Sequence, residues 1–115
     1  MDDDPAMQEL LVWHLQSAGF HPRAVSSGRD ALRLAESELV DLFVFDYQMS
    51  EMNGAELAAE LRRLVPRVPL LMISGNGAPP SSVLNLVNRF VAKNDEFAAR
   101  LVMEAAYLLA ISSAA

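Results

Sequence analysis

Two short runs, DLFVFD at residues 41–46 and PLLMIS at 69–74, constrain this chain more than any other feature. Each is continuously apolar, too short for an independent helix, and ends on a polar residue. Runs of this kind belong to strands buried on both faces. The stretches around them repeat apolar residues at three and four positions, as helices do. Residues 5–20 carry Met7, Leu10, Leu11, Leu15 and Ala18 on one face, and residues 28–39 carry Ala31, Leu32, Ala35 and Leu39. GAELAAELRRL predicts a third helix, and residues 95–110 a long one with Phe97, Leu101, Ala105 and Leu108 inward. HPRAVSS reads as a weak strand and RFVAK as a last short one, with a loop at GNGAPPSS and at most two helical turns in SVLNLV. Pro5 suits a first helical position capped by Asp4, and Gly19 suits the stop. Helix and strand alternate, which predicts an α/β fold: a doubly wound parallel sheet with helices on both faces.

At 115 residues the chain fits one domain, expected over residues 1–111 with 112–115 as a fraying tail. Fifteen acidic against nine basic side chains give a net charge of −6, which argues against a general nucleic-acid surface. No cysteine is present, so disulfides, thiolate metal sites and a cysteine nucleophile are excluded. No apolar run is long enough to span a membrane. The composition fits a cytoplasmic protein. His14 and His21 have no matching acid and nucleophile and read as surface residues.

Ligands in folds of this kind bind at the carboxyl ends of the strands. That rule selects Asp46, Ser74 and Lys93, each polar where a buried run stops. A strand-end aspartate is a cap, a metal ligand or a nucleophile. As a nucleophile it attacks phosphorus to give an acyl phosphate, chemistry that calls for a divalent cation such as Mg2+. A second acid must then converge, and the available cluster is Asp2-Asp3-Asp4. Lys93 supplies a point charge for phosphoryl oxygens, and the Ser74 hydroxyl a hydrogen bond.

DDDP, FVFDYQMSEMNG, LLMISG and FVAK, in this order, resemble the receiver domain of two-component response regulators. The likeness covers almost the whole chain, and Asp46, Met49, Met52 and Gly54 match the family's D-x-x-M-x-x-M-x-G. The resemblance implies a flavodoxin-like three-layer sandwich and a signalling domain rather than an enzyme. It implies Asp46 as phosphoacceptor, Ser74 as switch hydroxyl, Phe90 as switch aromatic and Lys93 as the phosphate-binding lysine. Magnesium would be held by Asp3 directly, Asp2 mainly through water, Asp46, and the backbone carbonyl of Gln48. The implied donor is a phosphohistidine on a sensor histidine kinase or phosphotransfer protein. A downstream protein partner or a second copy would read residues 81–110, with neither nucleic acid nor membrane as direct partner. The alternative is a degenerate receiver that binds partners or dimerises without phosphorylation. A dehalogenase-like phosphatase is set aside, because Gln48 stands where that chemistry needs a second aspartate.

The sequence departs from the family pattern in several places. Receivers carry an apolar central strand before the acidic pair, whereas only Met1 precedes Asp2, so that strand reads as missing or truncated. Burying roughly four apolar side chains is worth about 6–12 kcal/mol, comparable to the 5–15 kcal/mol that holds a whole domain together (approximate range). A natural start further upstream, a strand from another chain, and re-pairing of the sheet are the explanations, in that order. Asn94 stands where the family usually has proline after the lysine, so a trans bond is expected and the aim of Lys93 is open. Ser50 replaces a common proline and is expected to be tolerated. The stretch between Ser74 and Lys93 is short and contains Ala78-Pro79-Pro80, which predicts a stunted helix. Phe90 lacks a hydroxyl, so any switch there works by packing.

Overall fold

The computed structural model describes residues 5–49, 52–75, 77–94 and 96–114, with side chains to Ile111. The expectations for Asp2, Asp3, Asp4 and Ser50 lie outside the described residues. The chain order is α1 (Pro5–Ser17), α2 (Gly28–Ser37), β1 (Phe43–Asp46), α3 (Gly54–Leu64), β2 (Leu70–Ser74), α4 (Ser81–Leu84), β3 (Arg89–Ala92) and α5 (Phe97–Ala114). Among the described residues the three strands form one parallel sheet in the order β1-β2-β3. None of these helices is long and apolar enough to cross a membrane.

Side-chain alternation along the strands builds two cores. Phe43, Phe45, Leu70 and Met72 face α2 and α3, where they meet Ala31, Leu57, Ala58 and Leu61. Leu71, Ile73 and Val91 face α1 and α5, where they meet Leu11, Leu15, Leu101, Ala105 and Leu108. This is the doubly wound arrangement that the two apolar runs predict. All five residues of β2 are buried, as a central strand covered on both faces requires.

Local chemistry sets the helix ends. Gly19 adopts φ +94°, and the Phe20 and Gly19 N–H groups donate to the Leu15 and Gln16 carbonyls at 3.0 Å each. That pattern is a Schellman stop, which glycine adopts without a Cβ penalty. The Ser27 hydroxyl accepts the Asp30 N–H at 3.1 Å and starts α2, and Asn53 Oδ1 accepts the Glu56 N–H at 2.9 Å and starts α3. Pro80 precedes α4 without a side-chain cap, and α4 is a single turn, as the Ala78-Pro79-Pro80 stretch predicts.

Four sequence expectations change. HPRAVSS forms no strand; Val25 instead lines a cavity of about 350 Å3 with Leu11, Leu15, Ala31, Phe43 and Phe45. A strand persists only where a neighbour completes its ladder, and the sheet order gives residues 21–27 none among the described strands. Leu10 and Leu39 are exposed rather than core. Leu10 lies off the Leu11–Leu15 stripe, and Leu39 follows Glu38, whose extended backbone (φ −132°, ψ 156°) ends α2. Ala18 is also exposed, beyond the last turn of α1. Finally, α5 continues to Ala114, through residues that read as a tail in the sequence.

Candidate functional site

Asp46 closes β1, Ser74 closes β2, and Lys93 follows β3 directly. Parallel register sets them side by side: Asp46 pairs with Ile73 and Ser74 with Ala92. The Lys93 N–H donates to the Ser74 carbonyl at 2.9 Å, and the Tyr47 N–H to the Ile73 carbonyl at 2.8 Å. Hydrogen bonding thus continues just past the strands and holds all three side chains at one rim.

Asp46 is buried, with its side chain 6% exposed. Its Oδ1 accepts the Gln48 N–H at 3.1 Å, and its Oδ2 is ion-paired with the Lys93 ammonium. A carboxylate so deeply recessed has lost most of its water, and charge-assisted hydrogen bonds take its place. The Lys93 stem runs past Gly75, where an added Cβ would lie 3.7 Å from Cδ. The buried Ser74 hydroxyl donates to the Gly77 carbonyl at 2.8 Å. It is therefore engaged with the following loop rather than with Asp46. Gly77 takes φ +85°, a conformation that admits few other residues.

Gly54 sets the depth of the site. An added Cβ there would fall 2.6 Å from Tyr47 Cα and 2.7 Å from the Asp46 carbonyl oxygen. The Gly54 N–H donates to the Tyr47 carbonyl at 2.7 Å. The N-terminus of α3 thereby packs directly on the backbone that carries Asp46. Met52 packs against Gly28 at the start of α2, so the two motif methionines serve packing: Met49 and Met52 both border the α2–α3 core.

Asp46, Ser74 and Lys93 thus come together as the strand-end rule predicts. Phe90 does not join them. It lies half-buried within β3 opposite Met72, three residues before Lys93. Asp2 and Asp3 lie outside the described residues, and Gln48 is present beside Asp46. Sequence reasoning missed the Gly77 carbonyl, which has no side-chain signature. It also missed the Asn53 cap, which the N-x-x-E spacing of Asn53 and Glu56 signals. The Lys93–Asn94 bond is trans, as expected.

The fold and this rim define an α/β domain with a recessed acid and a lysine at adjacent strand ends. Residues 1–99 match the response regulator receiver domain, and the chain belongs to that family. It is a signalling domain of the kind found in two-component systems. Transcriptional regulatory protein GlrR of Escherichia coli K12 is 36% identical over 83 residues, 72% of this chain and 19% of that regulator. The alkaline phosphatase synthesis regulator PhoP of Bacillus subtilis is 31% identical over 86 residues, 75% of this chain and 36% of that protein. The chain spans well under half the length of these curated relatives. Among solved structures, response regulator TrrA of Thermotoga maritima, in complex with Mg2+–BeF, superposes with a TM-score of 0.86 at 26% identity, covering 93% of each chain. The receiver domain of NtrX from Brucella abortus gives 0.85 at 26% identity, covering 94% of this chain and 93% of that one.

Proposed function

We propose that residues 1–111 are a receiver domain that takes a phosphoryl group onto Asp46 from the phosphohistidine of a sensor histidine kinase or phosphotransfer protein in the cytoplasm. The observation that carries this reading is the ion pair of Lys93 with a recessed Asp46 at the strand ends. In the transfer, an Asp46 oxygen forms a bond to phosphorus as the phosphorus–nitrogen bond breaks. The electron pair leaves with the imidazole. Asp46 is the nucleophile, and the Gln48 N–H fixes its Oδ1 and hence the carboxylate plane. Lys93 neutralises the phosphoryl oxygens that arrive beside it. Ser74 exchanges its bond to the Gly77 carbonyl for one to the phosphoryl group, which frees the loop from residue 75 onward. Phe90 responds by packing, and a downstream partner or a second copy reads the change on residues 81–110.

The donors present fit magnesium in kind. Asp46 and the Gln48 carbonyl are hard oxygen ligands of the sort that ion prefers, and Asp2 and Asp3 would complete the set. Magnesium, when bound, offsets charge between the acceptor and the incoming group. The solved TrrA complex with Mg2+–BeF supports the assignment.

Addition of magnesium and beryllofluoride, read by Tyr47 and Trp13 fluorescence and by NMR shifts, tests the reading. Saturable changes in the wild type that vanish in Asp46→Ala are expected. An unresponsive wild type, or an equal response from Asp46→Ala, rejects it in favour of a receiver that binds partners without phosphorylation.

A further inference from the structure

Among the described residues, Asn94 makes three hydrogen bonds in the turn that carries Lys93 from β3 into α5. The Asn94 N–H donates to the Ala92 carbonyl at 3.0 Å, and the Asn94 carbonyl accepts the Phe97 N–H at 3.0 Å. Its side-chain Oδ1 accepts the Glu96 N–H, also at 3.0 Å. An asparagine oxygen bonded to the backbone two residues on mimics a backbone turn. On the other side of Lys93, its own N–H is tied to the Ser74 carbonyl at 2.9 Å. The Lys93 backbone is therefore held between the end of β2 and the Asn94 turn. From that root the side chain, 21% exposed, runs past Gly75 to Asp46. A lysine ammonium sits on a flexible four-carbon stem, so its position is only as definite as its root and its partner.

We infer that Asn94 is a positioning residue. Its side-chain oxygen keeps the β3–α5 turn closed and so aims the Lys93 ammonium at Asp46. The effect on phosphoryl chemistry rests on the phosphoacceptor reading, whereas the aim of Lys93 is a property of the free protein. Asn94 is exposed, so its replacement leaves both cores intact.

The test compares the whole chain as wild type, Asn94→Ala, Asn94→Ser and Ser27→Ala. Serine retains an acceptor oxygen, and Ser27→Ala deletes a side-chain-to-backbone hydrogen bond elsewhere, at the start of α2. Two readouts are taken: the NMR inequivalence of the Lys93 ε-methylene protons in the free protein, and the affinity for beryllofluoride with magnesium. Asn94→Ala is expected to collapse the inequivalence and to weaken beryllofluoride roughly fivefold, the factor that matches loss of one ordinary hydrogen bond. Asn94→Ser restores both, and Ser27→Ala lowers the thermal midpoint while changing neither. Wild-type Lys93 signals in Asn94→Ala, an equal loss in Asn94→Ser, or the same loss in Ser27→Ala overturns the inference. If the wild type ignores beryllofluoride, the phosphoacceptor reading falls, and the Lys93 signals alone still decide the role of Asn94.

Discussion

The Lys93 ammonium is ion-paired with the Asp46 carboxylate, joining residues 47 positions apart across the ends of the sheet. The pair is unequal in exposure: Asp46 is almost fully buried and Lys93 is partly open to water. Removing the lysine leaves a desolvated carboxylate that keeps the Gln48 N–H and has lost its charged partner. Lys93→Met is expected to destabilise the fold by about 1–3 kcal/mol, the usual penalty for a buried polar group that loses its partner. Asp46→Asn in the same chain should recover most of that loss, because the charge is gone. Urea unfolding of the two single variants and the double variant measures the coupling. Additive losses would show that the pair contributes nothing of its own.

The two buried helix-start glycines are predicted to behave differently. At Gly54 a new Cβ meets backbone atoms of Tyr47 and Asp46, which cannot move without moving the site. Gly54→Ala should therefore cost about 1–3 kcal/mol, as overpacking does, and should displace the Asp46 amide signal. At Gly28 the new Cβ meets Met52 Sδ at 2.8 Å, an atom of a flexible side chain. Gly28→Ala should cost less than about 1 kcal/mol, since methionine adapts to its surroundings. Thermal unfolding with amide shifts at Asp46 separates the two cases, and equal effects would contradict the argument.

The same contrast explains how far the sequence was readable. Asp46, Ser74 and Lys93 were legible because each interrupts an apolar run, and parallel register then forces strand ends together. The two cores were legible from the continuous apolar runs of β1 and β2, which bury both faces, and from the stripe Phe97, Leu101, Ala105 and Leu108, all buried. The failed strand at residues 21–27 was not, because strand formation depends on a neighbour and not on the segment alone. Leu39 misled because its helical spacing continues one residue past Glu38, where the chain leaves the helix. Asn94 looked like a departure beside Lys93, since comparison with a family pattern cannot show that its side chain closes the turn. Where Ser74 Oγ points was likewise beyond pattern reading, because its acceptor is a backbone carbonyl in the next loop.

That bond gives a third prediction. Ser74 is buried and its hydroxyl donates to the Gly77 carbonyl across the turn after β2. Ser74→Ala should lower stability by about 0.5–1.5 kcal/mol, the net value of a typical hydrogen bond. The amides around Gly77 should exchange faster with solvent, while those of β2 retain their protection. On the phosphoacceptor reading, the beryllofluoride-induced shift at Gly77 should also shrink while binding persists. Chemical denaturation, hydrogen exchange and a beryllofluoride titration give the three quantities, and an unchanged exchange rate at Gly77 would remove the latch from the account.

Arg62 gives the last prediction, and it concerns the frame around the site. From α3 its Nε donates to the Leu86 carbonyl at 2.9 Å, and one terminal nitrogen reaches the Val68 carbonyl at 3.4 Å. The other terminal nitrogen meets Asn88 Oδ1. Asn88 Oδ1 also accepts the Leu70 N–H at 2.8 Å, and the Asn88 N–H donates to the Leu70 carbonyl at 2.9 Å. One guanidinium therefore ties α3 to the segment after α4 and to the start of β2, just before β3 begins. Partial burial lowers its pKa from the ordinary arginine value, yet arginine stays charged at any pH a protein tolerates. Lysine cannot replace it, because a single ammonium does not present a planar fork to three separated acceptors. Both Arg62→Lys and Arg62→Met should lose about 1–3 kcal/mol, with faster exchange of the Leu70 amide. Stability close to wild type in Arg62→Lys would show that charge alone, and not the fork, holds this corner together.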